Sequence, residues 1–336
     1  MNRTPSPKEI SYHQQDYANS IKPIHVSRER AKKHWLPATE REVAALRAVN
    51  GALGWLRSQP RPDLAVQTSM SQQAFPVPTV QDLLQVNQAV RRARQQSDLR
   101  ITVPYISPKE ITTVLWSDAA FANAQSLHTQ GGWLLALAPK SFSVGKDVPI
   151  NCIGWRSYRL PRVVSSTPRG EAQSFAVASS IAEWTLLVLA EALDGPFSLS
   201  EVDLVLQRRK PVGVSDCRSQ NDHLNAIGNG GTRDDKRTAI DTAIIRQSIK
   251  RCGLEPRWCP TGQMVADAFT KDKGEPLDLL RSVLRQSRYQ LSDEQTVLER
   301  KKKEKLLPQR RAQERAQNNK SKSNAKDTVS EPPEDV

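Results

Sequence analysis

Apolar residues recur along this chain with two different periods, and the change between them divides it. From Thr39 onward Val43, Leu46, Val49, Leu53 and Leu56 fall three or four residues apart, the spacing of one helix face. Thr39 and Glu42 have capping-box spacing, so a helix is predicted from there to about Ser58, where Pro60 and Pro62 stop it. A second helical stretch follows Asp63. A third begins near Thr79 with Leu83, Val86 and Val90 on one stripe and ends in the basic run Arg91-Arg92-Ala93-Arg94. Beyond Ser107 the period shortens. Residues 111–121, 131–138 and 150–159 are β-rich runs separated by turn-like segments, which predicts three consecutive antiparallel strands. A long helix is predicted over about 168–193, then a strand over 211–216, helices over 217–227 and 233–252, a last strand over 255–260 and a short helix over 263–271. This is an α/β plan: one mixed five-stranded sheet flanked by helices.

The two ends read differently. Residues 1–35 are polar and unpatterned and are expected to be a mostly disordered lead-in. Between Glu299 and Lys326 eleven Lys or Arg stand against three Glu, which predicts a fraying helix followed by a disordered basic tail. The expected organisation is therefore a lead-in over 1–35, a helical unit over 36–105, an α/β domain over 108–275, and a helix with its tail over 276–336. With 49 Lys and Arg against 36 Asp and Glu, the formal charge of +13 suits a polyanionic partner, either nucleic acid or an acidic membrane surface, and does not choose between them. The four cysteines form no C-x-x-C pair, so neither a zinc site nor a disulfide framework is indicated. No apolar run approaches the roughly 20 residues of a membrane span, and the first thirty residues lack the apolar centre of a secretory signal. The expectation is a soluble intracellular protein, cytoplasmic or nuclear.

Four acids occupy unusual positions. Asp118 follows Val114 and Trp116 at every second residue, which places its carboxylate on the strand face of two large apolar side chains. Asp216 repeats this arrangement after Val212 and Val214, so the two acids lie side by side if their strands are neighbours. On the long helix, Glu171 sits four residues before Phe175, on the stripe that continues through Ala178, Ala182 and Leu186, and should face the sheet. Asp267 lies in the first turn of the last short helix. Taken singly, Asp118 and Asp216 read more readily as turn residues, and Glu171 and Asp267 as complements to helix amino termini. Together they are like charges that need a counter-cation, and hard oxygen ligands without Cys or His suit Mg²⁺ or Mn²⁺.

The strings around these acids resemble a known family. Trp116-Ser117-Asp118-Ala119-Ala120-Phe121-Ala122 is similar to the opening of ribonuclease H domains in copia-type retrotransposon polyproteins. Ser165-Ser166-Thr167-Pro168-Arg169-Gly170-Glu171-Ala172 looks like their S-S-T-x-A-E segment displaced by one residue. Val214-Ser215-Asp216-Cys217-Arg218-Ser219 resembles their C-D-N-Q-S, and the run from Cys259 to Lys271 is close to their V-P-T-x-x-x-x-A-D-x-F-T-K. Leu53-Gly54-Trp55-Leu56 with Arg61-Pro62-Asp63-Leu64-Ala65 looks like the helical segment that joins reverse transcriptase to ribonuclease H in those polyproteins. The resemblance covers about residues 39–275. It implies an endonuclease that hydrolyses the RNA strand of RNA·DNA hybrids with two Mg²⁺ ions, Mn²⁺ being an alternative. Asp118 would bridge both metals, Glu171 and Asp216 would complete their coordination, and Asp267 would hold the metal beside the attacking water. Arg91, Arg92 and Arg94 on the third helix, with Arg218 and Lys271 beside the acids, are the expected nucleic-acid contacts; for the helical run a solvated helix end is the alternative. Other segments of a polyprotein are possible partners.

Departures from the family pattern leave a second reading open. Arg237-Thr238-Ala239-Ile240-Asp241-Thr242 keeps an Ile-Asp core where the family has histidines on either side, and nothing matches the paired aspartates of a polymerase palm. A catalytically inactive or domesticated remnant that only binds nucleic acid is therefore the alternative. A strand-transfer integrase would place its glutamate last, whereas here the glutamate comes second. His223 reads as a surface helix histidine, and Ile227-Gly228-Asn229-Gly230-Gly231 as a linker rather than a phosphate loop.

Overall fold

The computed structural model describes residues 9–124, 128–225, 236–292, 295–297 and 299–300. A first compact unit runs to Leu291 and holds the helices and strands from β1 to β9. The basic tail beyond Arg300 and the glycine-rich linker lie outside the described residues.

The chain begins with a short strand, β1 (Ile10–Tyr12), and two short helices, α1 (Gln15–Ser20) and α2 (Arg28–Lys32). The lead-in expected to be mostly disordered is thus folded over residues 10–35. The reason is a side chain that pattern reading cannot weigh: Asn87, 63 residues away, accepts from the Ile24 amide at 2.7 Å and donates to the Ile24 carbonyl at 2.8 Å. Ala18, Ile21 and Ile24 are buried around that clasp against the helices that follow.

Those helices are α3 (Glu40–Ser58), α4 (Ala65–Gln72) and α5 (Val80–Gln95). The predicted capping box is present: the Glu42 carboxylate accepts from the Thr39 amide at 2.7 Å, and Thr39 Oγ1 accepts from the Glu42 amide at 3.3 Å. Leu46, Leu53 and Leu56 meet Leu83, Val86 and Val90 in one apolar cluster, which confirms both stripes. A short 3₁₀ turn after α3 carries a fully buried ion pair. Arg61 clasps Asp63 with two nitrogens at 2.8 and 2.9 Å and donates a third bond to the Ala93 carbonyl at the end of α5. Arg281 approaches the same carboxylate at 3.6 Å.

A strand β2 (Ile101–Val103) pairs with β1 and leads into the main sheet. Its strands are β3 (Ile111–Ala120), β4 (Gln130–Pro139) and, after a short β5 (Asp147–Pro149), β6 (Asn151–Arg159). The long helix α6 (Thr167–Asp194) and the short α7 (Val202–Leu206) come next. They are followed by β7 (Val212–Ser215), α8 (Arg218–Asn225), α9 (Lys236–Cys252) and β8 (Glu255–Trp258). The sheet order is β6-β4-β3-β7-β8, with β3, β4 and β6 antiparallel and β7 and β8 parallel to β3. This is the mixed sheet that the sequence predicts. In place of the predicted short helix over 263–271, two 3₁₀ turns form at Thr261–Gln263 and Val265–Phe269, followed by α10 (Glu275–Gln286) and β9 (Arg288–Gln290), which pairs with β5. The tighter turn lets all five residues of the second segment be buried at once.

Strand alternation sends the two faces of the sheet to different layers. Leu115, Trp133 and Leu135 pack against Phe175, Ala178, Ala182 and Leu186 of α6. Contrary to the expectation from sequence, α6 is long and apolar enough for a membrane span by length and composition; its apolar stripe covers the sheet. On the other face Val114, Trp116 and Leu134 meet Phe142, Phe269, Leu280 and Tyr289. Glycine makes that second contact possible. A Cβ built on Gly132 would lie 2.5 Å from Phe269 Cβ and 3.0 Å from its carbonyl carbon, so only a residue without a side chain lets the last 3₁₀ turn lie on β4.

Polar side chains join the helical layer to the sheet. Gln130, fully buried on β4, donates to Ser69 of α4 and to Ser157 of β6, both at 2.8 Å, and accepts from Gln73 at 2.9 Å. Ser157 in turn donates to the Phe269 carbonyl, and Trp155 to the Arg57 carbonyl at 2.6 Å.

Two stability measurements check this packing. Gly132→Ala overpacks the contact with Phe269 and should cost about 1–3 kcal/mol in urea unfolding. Asp63→Asn should cost more, about 3–5 kcal/mol, because it leaves Arg61 charged, buried and unpaired.

Candidate metal centre

Parallel register sets the first pair of acids. Val114 stands opposite Val212 and Trp116 opposite Val214, so Asp118 and Asp216, each two residues further on, lie at corresponding positions of neighbouring strands. The condition on which the sequence reading depended, adjacency of the two strands, is met. Glu171 arrives from the first turns of α6. Gly170 lets that turn sit close: a Cβ there would meet Ala119 Cβ and Thr129 Cγ2 at 3.3 Å. The extra residue relative to the family string therefore leaves Glu171 facing the sheet, and it is 4% exposed. One ligand oxygen from each of Asp118, Glu171 and Asp216 lies within 4.8 Å of the others.

Asp267 lies beside this trio rather than within it. Its Oδ2 accepts from Lys271 Nζ at 2.6 Å, one helical turn later in sequence. Two threonines hold the other acids. Thr270 Oγ1 donates to Asp118 Oδ2, and Thr261 Oγ1 donates to Asp216 Oδ2 at 2.7 Å. Both threonines stand in the strings quoted above, but sequence reading gave them no role; their signal was only their place in those strings.

Burial and neighbouring charge raise three of these acids, Glu171, Asp216 and Asp267. Burial, then Asp118, Cys217 and Asp216, push the Glu171 carboxyl well above its usual range. Burial also raises Asp216, partly offset by the Thr261 hydroxyl and reinforced by Asp118. Burial and Asp118 push Asp267 up to about 7, against the pull of Lys271. Burial lowers Lys271, but Asp118 and Asp267 outweigh it, so the ammonium stays charged.

This donor set fits hard divalent cations. It is all oxygen, and Glu171 Oε2 and Asp267 Oδ1 are buried with no hydrogen-bond partner. A buried carboxylate oxygen left unpaired is costly, and a cation satisfies it.

The five expected nucleic-acid contacts divide. Arg91 and Arg94 are exposed on α5. Arg92 is half-buried and donates to the Asp272 carbonyl at 2.6 Å. Arg218 pairs with Asp222 at 3.0 Å and lies over the Trp258 ring, while Lys271 is engaged by Asp267. His223 lines a cavity of about 180 Å³ with Arg169 and Gln220, at the α6 amino terminus. Asp241 of the Ile-Asp core is buried and paired with Arg162.

The pH dependence of stability follows from the raised carboxyls. The folded protein holds protons that the unfolded chain releases, so its advantage shrinks as pH rises. For Asp267 the window runs from its ordinary 3.8 to about 7. In chelator, the melting temperature should fall across that range, Mg²⁺ should restore it, and Asp267→Asn should make the fall shallower. A flat profile for the unmodified protein would contradict the charge crowding described here.

No protein-family model matches this chain, and no curated protein does. Among solved structures the chain is similar to an RNase H1 from the halophilic archaeon Halobacterium salinarum NRC-1, at 13% identity and a TM-score of 0.31, covering 50% of this chain and 98% of that one. It is also similar to the N-terminal RNase H domain of a Mycobacterium tuberculosis protein, solved as a fusion with maltose binding protein, at 10% identity and a TM-score of 0.30, covering 52% and 99%.

Proposed function

We propose that this chain is a metal-dependent ribonuclease H that hydrolyses the RNA strand of RNA·DNA hybrids. The observation that carries the reading is the convergence of Asp118, Glu171 and Asp216 from a strand, a helix and a neighbouring strand onto one point. The four acid-bearing strings in family order support a copia-type retrotransposon origin, with other polyprotein segments as partners.

In this reading Asp118, Glu171 and Asp216 hold the cations and Asp267 completes the set. A pair of Mg²⁺ ions there would supply a water of lowered pKa and offset charge on the leaving 3′ oxygen. Thr270 and Thr261 fix the rotamers of Asp118 and Asp216, so that these carboxylates need little reorganisation when charge arrives. Lys271, held beside the acids, gives the scissile phosphate a cationic neighbour. Exposed Arg91 and Arg94 extend the basic surface along α5.

The second reading, a binding remnant without activity, has one observation in its favour: Lys271 already neutralises Asp267 from within the chain. Cleavage of a labelled RNA·DNA hybrid in Mg²⁺, with an RNA·RNA duplex as control, separates the two. The nuclease reading expects products with 5′-phosphate and 3′-hydroxyl ends. Hybrid binding without cleavage at saturating Mg²⁺ or Mn²⁺ would establish the remnant.

Asp118→Asn and Asp216→Asn should each lower the cleavage rate by several kcal/mol of barrier, on the order of 10³-fold, while the metal-free fold is retained or stabilised. An Asp118→Asn protein that cleaves at the original rate and metal concentration would remove that residue from the site.

A further inference from the structure

Next to the acids a polar cleft of about 420 Å³ opens between the helical layer and the segment that follows the last 3₁₀ turn. That volume is in the range of small-ligand sites. One wall is a stripe of α5 on which Gln81, Gln85 and Gln88 recur at four and three residues, so their exposed amides share a face. Arg92, the next position on that stripe, donates to the Asp272 carbonyl and ties α5 to the opposite wall. That wall carries Thr270 and Lys271, the residues whose other contacts are Asp118 and Asp267. The cleft and the acid site therefore share a wall.

Its charged residues, Lys271, Asp272 and Lys273, all lie on the wall next to the acids, and the helical side is uncharged. The α4 side contributes Gln67 and Ser71, whose Oε1 and Oγ are buried with no hydrogen-bond partner. Neutral amides offer both donors and acceptors, and unpaired buried oxygens ask for a ligand that can answer them. A ribose 2′-hydroxyl and a base edge both donate and accept, whereas a phosphate oxygen only accepts.

We infer that this cleft is a nucleotide subsite, built largely by the helical layer, which receives the sugar and base edge of one ribonucleotide of the RNA strand beside the scissile phosphate. The inference rests on the nuclease reading for its substrate and on the cleft itself for its location. Hybrid recognition would then be divided, with cations on the backbone and amides on the sugar edge.

The test uses the full chain and two variants, Gln81→Ala/Gln85→Ala/Gln88→Ala, which removes the amides, and Gln85→Trp, which fills the cleft. All three glutamines are exposed, so both variants should keep the parent melting temperature. The probe is a fluorescent RNA·DNA hybrid, titrated in Ca²⁺ over a salt series, with a DNA·DNA duplex of the same sequence alongside. Both variants should bind the hybrid about tenfold or more weaker, the size expected for two or three neutral hydrogen bonds. Duplex DNA affinity should change little. The slope of log K against log salt should stay unchanged, since no counterion release is lost. In Mg²⁺, KM should rise while kcat holds. Unchanged hybrid affinity in both variants would overturn the subsite, and so would an equal loss on duplex DNA or a slope that falls by about one per contact. If the unmodified chain binds the hybrid without cleaving it, the nuclease reading fails; weaker hybrid binding by the variants would still support the cleft.

Discussion

Asp118, Glu171 and Asp216 repel one another within 4.8 Å, in a place where water screens little of the repulsion. Proteins avoid this arrangement unless something offsets it. Here three devices do so: the raised proton affinity of Glu171 and Asp216, the hydroxyls of Thr270 and Thr261, and the ammonium of Lys271. Two of these three residues, Thr270 and Lys271, come from the segment directly after the last 3₁₀ turn. The position of that segment depends on Gly132 and on the Ser157 hydroxyl bonded to the Phe269 carbonyl. The packing on the sheet face and the electrostatics of the acid cluster are therefore one problem, solved by the same few residues.

The helical layer takes part in that solution. Gln130 links it to the sheet through Ser69 and Gln73, and the same amide reaches Ser157. A single buried hydrogen-bonded chain thus runs from α4 through β4 and β6 to the turn beside Asp267. Buried polar chains of this kind are rigid when every member is satisfied, and each link removed exposes its neighbours to the full cost of desolvation.

How much of this could be read from residues alone depended on whether the determining contact was periodic. Parity along β3 and β7 puts Asp118 and Asp216 on matching positions, because period two leaves a strand residue only two faces to choose from. Glu171 was legible for the analogous reason, one turn before Phe175 on a helical stripe. The capping box at Thr39 and the stripe on α5 fixed two helices closely. The lead-in was not legible, because Asn87 anchors it from 63 residues away and no local pattern announces such a clasp. The threonine donors and the glutamine cleft were equally hidden: a polar residue next to a motif carries no periodic signal, and its role depends on which distant wall folds against it. Gly132 passed unnoticed because its contribution is the side chain it lacks.

The Arg61–Asp63 clasp, with Arg281 close by, joins residues more than two hundred positions apart in a buried ionic contact. Charge buried in this way cannot be divided. A proteolytic cut or recombination junction placed between α5 and β3 would leave Asp63 on one fragment and Arg281 on the other, and would part Gln73 from Gln130. Both pieces would then expose groups that are satisfied only in each other's company. The helical layer and the sheet therefore behave as one indivisible block, and a break between them costs both halves at once.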